Sequence, residues 1–179
     1  MTASRRCFLE TGGRAVLGLG LAGAPASRSE PPRRLAFYNT HTAESLDLEY
    51  WAEGHYLDDA LRGIDHVLRD HRTGKTAEMD VKLLDLLFAL KGRLGTSRPF
   101  HVISGYRSPE TNEYLRGQSA DSGVAQDSQH TKGKAIDVRL PDRPLAEVRE
   151  AAIALHGGGV GYYPVSEFVH VDVARVRTW

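Results

Sequence analysis

Apolar residues recur at helical spacing in the first half of the chain. Over residues 57–70 they lie three or four positions apart, and residues 80–94 carry a second and stronger apolar stripe. The first stripe consists of Leu57, Leu61, Ile64 and Leu68, and the second of Val81, Leu84, Leu87, Phe88 and Leu94. Such a stripe is the face that an amphipathic helix turns towards a core. We therefore predict two packing helices here, and a third over residues 145–156, between Pro144 and three consecutive glycines.

Short apolar segments predict strands before and after the first two helices. Residues 35–38 are apolar or aromatic and residues 44–50 alternate between apolar and polar, so we expect two strands joined by a turn. Beyond Pro99 the pattern changes to short runs separated by glycine, at residues 100–104, 134–140, 160–163 and 168–173. The fold class expected from these elements is α+β, with a small, mainly antiparallel sheet flanked by helices.

The first 26 residues have the composition of an export signal. Arg5 and Arg6 precede a Gly-, Ala- and Leu-rich run that extends from Ala15 to Ala24. This run is shorter than the roughly 20 apolar residues that span a bilayer, and small residues follow it, as at a cleavage site. The pattern Ser-Arg-Arg-x-Phe-Leu resembles twin-arginine signals, although Glu10 stands where that class often has lysine. An uncleaved anchor or an exposed tail is the alternative.

The rest of the chain divides into a linker and one domain. Residues 27–34, with two prolines and three arginines, are the linker, and residues 35–179 are the domain. Export by the twin-arginine route places this domain in the periplasm or the cell envelope. Loss of residues 1–26 removes three of the 23 basic and one of the 23 acidic residues, which leaves 20 and 22. This balance argues against a nucleic-acid partner, and no membrane contact is expected after signal removal.

Cysteine usage limits the metal chemistry that is open to this chain. Cys7, its one cysteine, lies within the predicted signal, so disulfides and thiolate metal sites are excluded from the domain. Any metal must therefore be held by carboxylates and by some of the eight histidines.

Two histidines and an aspartate in the second half are candidate metal ligands, and the first histidine and the aspartate can meet at one point. His130 lies in a polar loop and Asp137 in the strand that follows, with Gly133 allowing the chain to turn between them. Strand alternation places His170 and Asp172 on the face opposite the neighbouring valines. Two imidazoles and a carboxylate, with a fourth position open, are typical of a catalytic zinc site. Such a site activates water and polarises a carbonyl.

Three further side chains have the chemistry that a hydrolytic zinc site needs. Glu167, three residues before His170, is the predicted general base for the water that the metal activates. Asp172 is the other candidate for the general base. Its alternative role is to fix a ligand through a hydrogen bond. Arg107 offers a planar guanidinium to a developing oxyanion or to a substrate carboxylate.

Three segments, in this order, resemble the zinc D-alanyl-D-alanine peptidases of the M15 type. They are Ser-Gly-Tyr-Arg-Ser-Pro at residues 104–109, Ser-x-His-x-x-Gly-x-Ala-x-Asp at residues 128–137, and Glu-x-x-His at residues 167–170. The wider segment from Gly161 to Asp172 resembles the exported murein endopeptidases of the DUF882 or YcbK-like branch. The resemblance covers roughly residues 35–179 and implies a hedgehog/DD-peptidase-like fold.

The resemblance also implies a role for each matching residue. By it, His130, Asp137 and His170 are zinc ligands that hold one Zn²⁺ per chain, and Arg107 stabilises the transition state. Ser128 matches a serine that contacts the substrate or supports the ligands.

The implied activity is hydrolysis of peptide cross-links in peptidoglycan, whose peptide stems are the expected partner. Glu167 matches the acid that several of these enzymes use as the base. Two alternatives stay open, namely a non-catalytic module that binds zinc or peptidoglycan and a D,D-carboxypeptidase or dipeptidase of the same fold. The type of cross-link also stays open, because the bond joins either D-alanine to a diamino acid or two diamino acids.

Overall fold

The structure is a computed structural model that describes residues 30–118 and 123–179, so the predicted export signal and the first residues of the predicted linker lie outside it. The described residues form eight strands: β1 (Arg33–Asn39), β2 (Ser45–Ala52), β3 (His55–Tyr56), β4 (Phe100–Ser104), β5 (Ala135–Arg139), β6 (Gly159–Tyr163), β7 (Phe168–Asp172) and β8 (Arg177–Thr178). The helices are α1 (Asp58–Val67), α2 (Val81–Leu94), α3 (Pro109–Gly117) and α4 (Leu145–Ala154), with a 3₁₀ turn at Gln129–Lys132.

The eight strands form one sheet in the order β3-β2-β1-β4-β5-β7-β6-β8. Two neighbouring pairs, β1 with β4 and β6 with β8, are parallel, and the other pairs are antiparallel. The parallel pair β1–β4 requires a crossover connection, which here contains α1 and α2. The predicted α+β fold with a mainly antiparallel sheet is therefore confirmed.

The core lies where the helices cover the sheet. Helix α2 packs against β1 and α4, and α4 packs against β6 and β7. The fully buried core includes Leu84, Leu87 and Leu90 of α2 together with Ile136, Val138, Val169 and Val171 of β5 and β7. Because side chains alternate along a strand, the polar residues between these apolar ones face the other side of the sheet. That second face holds Asp137, His170 and Asp172.

Two features of the fold differ from the sequence prediction. Helix α3 was not predicted, because its residues are mostly polar and carry no apolar stripe. Its start does have local signals, since the Ser108 hydroxyl accepts the Thr111 backbone N–H at 3.3 Å and Pro109 occupies the first turn. Strand β1 begins at Arg33, inside the segment predicted as a linker. Among the described residues, no helix has the length and apolar character needed to cross a membrane.

Candidate active site

The pairing of β5 with β7 brings Asp137 and His170 together. The strands are antiparallel, with Asp137 directly opposite His170 and Ile136 opposite Val171. His170 Nδ1 lies 2.9 Å from Asp137 Oδ1, whereas Ile136 and Val171 belong to the buried core. A shift of one residue in this register would turn one strand's polar residues into the core and its apolar residues out of it. Burial of the apolar face therefore fixes the position of the polar pair.

His130 reaches the same point from the 3₁₀ turn before β5. The Ser128 hydroxyl accepts the His130 backbone N–H at 3.3 Å at the start of this turn, and Gly133 ends it with a φ of +66°. A Cβ at position 133 would overlap a backbone carbonyl of the segment before α2, so glycine is needed for both space and φ. The His130 ring is buried, with Nε2 3.2 Å from Asp137 Oδ1 and 3.2 Å from His170 Nδ1.

The three inward-facing atoms have the spacing of ligands around one small cation. His130 Nε2, Asp137 Oδ1 and His170 Nδ1 are 2.9 to 3.2 Å apart. Tetrahedral ligands about 2.0 to 2.1 Å from Zn²⁺ are about 3.3 Å from one another. Each ring's outward nitrogen faces an acceptor, which is the Gly105 carbonyl for His130 at 2.7 Å and Asp172 Oδ2 for His170 at 3.1 Å. Since these acceptors fix the ring protons outward, three lone pairs converge inward, and this donor set fits zinc.

The charges around this point also suit a cation. Burial raises the pKa of Asp137, but His130 and His170 outweigh that effect and hold the pKa well below its usual range. Burial lowers the pKa of His170, but hydrogen bonds to Asp137 and Asp172 outweigh it and raise that pKa to about 9. An imidazole with such a pKa binds either a proton or a metal ion at neutral pH, so proton and metal compete for it.

Asp172 supports His170 from behind. Its carboxylate is fully buried, and Oδ2 accepts hydrogen bonds from His170 Nε2 at 3.1 Å and from Arg177 at 2.6 Å. Oδ1 accepts the backbone N–H groups of Gly159 and Ala174 at 3.0 and 2.9 Å. Burial raises the pKa of Asp172, but these bonds outweigh it and lower that pKa below its usual range. Its contacts favour the ligand-fixing role over that of a base.

Arg107 lies beside Asp137, on the loop between β4 and α3. Its Nη2 is 3.6 Å from Asp137 Oδ2, and its contacts with Ser104 and Asn112 are long, at 3.4 and 3.5 Å. Its Nε has no hydrogen-bond partner within the described ranges, and burial lowers the pKa of the guanidinium. A mostly buried guanidinium with such weak partners is available to an anionic group that enters the site.

A buried carboxylate that the sequence did not single out, Asp70, holds the Arg107 loop in place. Asp70 is buried, and its Oδ2 accepts the Ser108 backbone N–H at 2.9 Å. Burial raises the pKa of Asp70, but hydrogen bonds from Thr111 and Ser108 outweigh it and lower that pKa below its usual range. The Arg107 backbone N–H also donates to the His130 carbonyl at 3.2 Å. No spacing in the sequence links position 70 with position 108, which it meets only in the fold.

The structure does not bring Glu167 together with the ligands, which corrects the position expected for the base. Glu167 lies in the turn between β6 and β7 with a φ of +54°, and its side chain is 74% exposed. It pairs with Arg139 at 3.1 Å and lines a different cavity from the one at the ligands. The left-handed backbone at this position turns the side chain away before β7 begins.

His130, Asp137 and His170 line a cleft of about 330 Å³. Two other predicted site residues, Arg107 and the buried Ser128, also line this cleft. Its other polar or aromatic walls were not predicted as site residues: Asp127, Gln129, Tyr163, Phe168, Arg177 and Trp179. Asp127 is the one carboxylate besides Asp137 among the described lining residues, and it pairs with Lys132 at 2.7 Å. Arg177 and Trp179 reach the cleft through the parallel pairing of β8 with β6, which no local sequence pattern indicates.

The chain is similar to named peptidases over nearly its whole length. The family described as peptidoglycan L,D-endopeptidase MepK matches residues 27–179. Peptidoglycan L,D-endopeptidase MepK of Escherichia coli strain K12 is 43% identical over 180 residues, which cover 99% of this chain and 97% of that protein. The probable peptidoglycan L,D-endopeptidase MepK of Haemophilus influenzae is 40% identical over 182 residues, covering 98% and 95%. No solved structure matches this chain.

Proposed function

This chain belongs to the peptidase family described as peptidoglycan L,D-endopeptidase MepK, and from this premise we propose that it is a zinc-dependent endopeptidase that hydrolyses peptide cross-links of peptidoglycan. The observation that carries the proposal is the convergence of one donor atom each from His130, Asp137 and His170 within 4.8 Å. These residues are the proposed ligands. When bound there, Zn²⁺ supplies the Lewis acidity that activates water and polarises the scissile carbonyl.

Arg107 stabilises the negative charge that develops on the carbonyl oxygen during attack. A preorganised cationic donor in a partly water-excluded site is worth more than the same donor in water. The Arg107 side chain is mostly buried, and its contacts in the free protein are long, so binding to the oxyanion breaks no strong bond. The bond between Asp70 and the Ser108 backbone keeps the loop from moving as the charge develops.

Asp172 and Ser128 position the two histidine ligands. The Asp172 carboxylate keeps the proton of His170 on Nε2, so that Nδ1 presents its lone pair to the metal. The Ser128 hydroxyl caps the turn that carries His130, and Ser128 also lines the cleft, where substrate passes. Both residues act through the ligands they hold.

A different carboxylate from those predicted is the better candidate for the proton acceptor. Glu167 lines a different cavity from the one that contains the proposed ligands, and the oxygens of Asp172 are already occupied by donors. We assign the role to Asp127, the remaining carboxylate among the described residues that line the cleft. Its side chain is mostly exposed, so it can exchange a proton with solvent and pass it to the departing amine. The expected result is a large loss of turnover in Asp127→Asn and a small one in Glu167→Gln.

Stereochemistry separates the two cross-link types that the sequence leaves open. A cross-link that begins at D-alanine joins a D-centre to the D-centre of a diamino acid. A cross-link between two diamino acids instead joins an L-centre to a D-centre. Because the similar proteins are named L,D-endopeptidases, we propose the bond between two diamino acids as the one that is cleaved.

Peptidoglycan lies outside the cytoplasmic membrane, so the proposed substrate places the domain in an extracytoplasmic compartment. We propose residues 1–26 as a twin-arginine signal that takes it there. Replacing Arg5 and Arg6 together by lysine tests this route, since the variant is expected to stay in the cytoplasm while the unaltered chain is exported. Export of both proteins in equal amounts would contradict the proposed route.

Digestion of purified cross-linked sacculi by the zinc-loaded protein tests the activity. Mass analysis of the released fragments is expected to show cuts between diamino acids, and His130→Ala or a chelator is expected to abolish them. Activity that survives both treatments would overturn the metal site. A protein that binds zinc and sacculi but releases no fragment would be a non-catalytic binding module, and release of a terminal residue alone would indicate a carboxypeptidase.

A further inference from the structure

Trp179 is a large aromatic residue that stays half exposed beside the metal ligands. Its 47% exposure contrasts with the usual burial of tryptophan, and it lines the same cleft as His130 and His170. The centroid of its ring is 5.3 Å from that of His170. An apolar surface that remains open next to reactive groups is a surface that a ligand covers.

The indole of Trp179 is held in one position. Its Nε1 donates a hydrogen bond to the Tyr163 hydroxyl at 2.7 Å, and the Arg177 guanidinium lies 4.7 Å from the ring centroid. The backbone is also fixed, because its N–H donates to the Val160 carbonyl at 3.2 Å and its carbonyl accepts the Tyr162 N–H at 3.0 Å. The ring therefore forms a preorganised wall, which loses little conformational freedom when a ligand binds.

Gly161 provides the space that the indole occupies. Gly161 lies opposite His170 in the pairing of β6 with β7, and a Cβ at position 161 would be 2.7 Å from the ring of Trp179. Real Cβ atoms do not approach so closely, so any larger residue would force the ring to move. The backbone of β6 is thus built to place an aromatic ring next to a ligand histidine.

We propose that Trp179 is a specificity-determining residue whose indole binds the aliphatic arm of the diamino acid on the carbonyl side of the scissile bond. This inference rests on the proposed function, because that bond joins two diamino acids. The methylene groups of such an arm begin one carbon from the residue's backbone, so an arm whose carbonyl lies at the proposed metal ligands is close to the indole beside His170. An alanine in the same place has only a methyl group and leaves the indole uncovered.

The test compares two synthetic cross-linked peptides that differ only on the carbonyl side, one with a diamino acid and the other with L-alanine. Burial of one methylene group strengthens binding about fourfold, so two or three partly buried groups give a preference of about tenfold in kcat/KM. Trp179→Ala is expected to reduce this preference to near unity, mainly through KM, whereas Trp179→Phe keeps most of it. Gly161→Ala displaces the ring without removing it and is expected to weaken the preference at unchanged zinc content.

Tyr114→Ala is the matched control, because it removes an exposed aromatic side chain from α3 that does not line the cleft. This variant is expected to keep the wild-type preference. An unchanged preference in Trp179→Ala, or an equal loss on both peptides, overturns the inference. If Trp179→Ala loses zinc or unfolds, the ratio of kcat/KM for the two peptides is measured in Gly161→Ala instead. An unchanged ratio in that variant overturns the inference. Failure of the wild-type protein to cleave either peptide overturns the proposed function, and the inference with it.

Discussion

Replacing Asp172 by asparagine removes one charge and keeps the shape of the side chain. Its two oxygens accept hydrogen bonds from His170, Arg177, Gly159 and Ala174. An asparagine has one oxygen and one NH₂ group, and every partner is a donor. In either orientation, the NH₂ group therefore faces at least two donors. Where the NH₂ group replaces Oδ2, the His170 ring escapes this conflict only by moving its proton to Nδ1, the atom proposed to bind the metal.

The magnitude follows from the number of bonds lost. Each hydrogen bond to a charged acceptor contributes roughly 1.5 to 3 kcal/mol, and at least two of those at Asp172 are lost in the variant. The free energy of unfolding should fall by about 3 to 5 kcal/mol, as when one partner of a buried ion pair is removed. For a chain of this size, the melting temperature falls by about 10 °C. Loss of the partner behind a ligand histidine weakens metal binding by about 10- to 100-fold.

Three measurements on the same protein preparation separate positioning from proton transfer. Competition with a chromophoric chelator gives the zinc dissociation constant, thermal unfolding gives the melting temperature, and digestion of cross-linked muropeptides gives kcat at saturating zinc. Glu167→Gln is the control, because it makes the same acid-to-amide change at an exposed surface pair. In Asp172→Asn, activity lost at low zinc should return in large part when zinc is added in excess.

One result would refute this reasoning. If Asp172→Asn binds zinc as tightly as the wild type, melts at the same temperature and yet loses its turnover, then Asp172 transfers protons and does not act through His170. That outcome would restore the rival prediction made from the sequence.

Four further predictions concern other residues and the metal. Glu167→Gln should leave muropeptide turnover within about twofold of wild type, since its exposed pair with Arg139 contributes little; a loss of two orders of magnitude would restore Glu167 as the base. Arg107→Lys should lower kcat by about 10²- to 10³-fold at unchanged zinc content, because an ammonium lacks the planar fork; lost zinc would show a structural role instead. Asp70→Asn should be less stable than wild type at neutral pH. The pKa of Asp70 is lowered in the folded state, so its contribution is lost as pH falls below about 4, and the difference in unfolding free energy should shrink there, as denaturant titrations at pH 7 and pH 3 can measure. Dialysis against a chelator should lower the melting temperature, and added zinc should restore it, because only the folded chain brings the ligands together; no shift would contradict the site.

Several site residues could be predicted from the sequence because their spacing is local. The turn at Gly133 relates His130 to Asp137, and alternation along β7 puts His170 and Asp172 on one face. The structure brings His130, Asp137 and His170 together. The fold class was likewise predictable, since the leucine stripe of α2 and the short apolar strands each follow the period of their element.

The rest depended on contacts between distant segments. Asp70 meets Ser108, and Trp179 meets Tyr163, only after strands and loops far apart in sequence have packed. The position of Glu167 was decided by a left-handed backbone in the turn before β7, although its spacing from His170 matched the expected base. By itself the sequence determined the chemical type of the proposed ligands and the strand face on which Asp137 and His170 lie, because these follow from residue identity and local periodicity. Tertiary structure alone decided which acids face the cleft, because strand register and turn direction are set by burial of the whole apolar core.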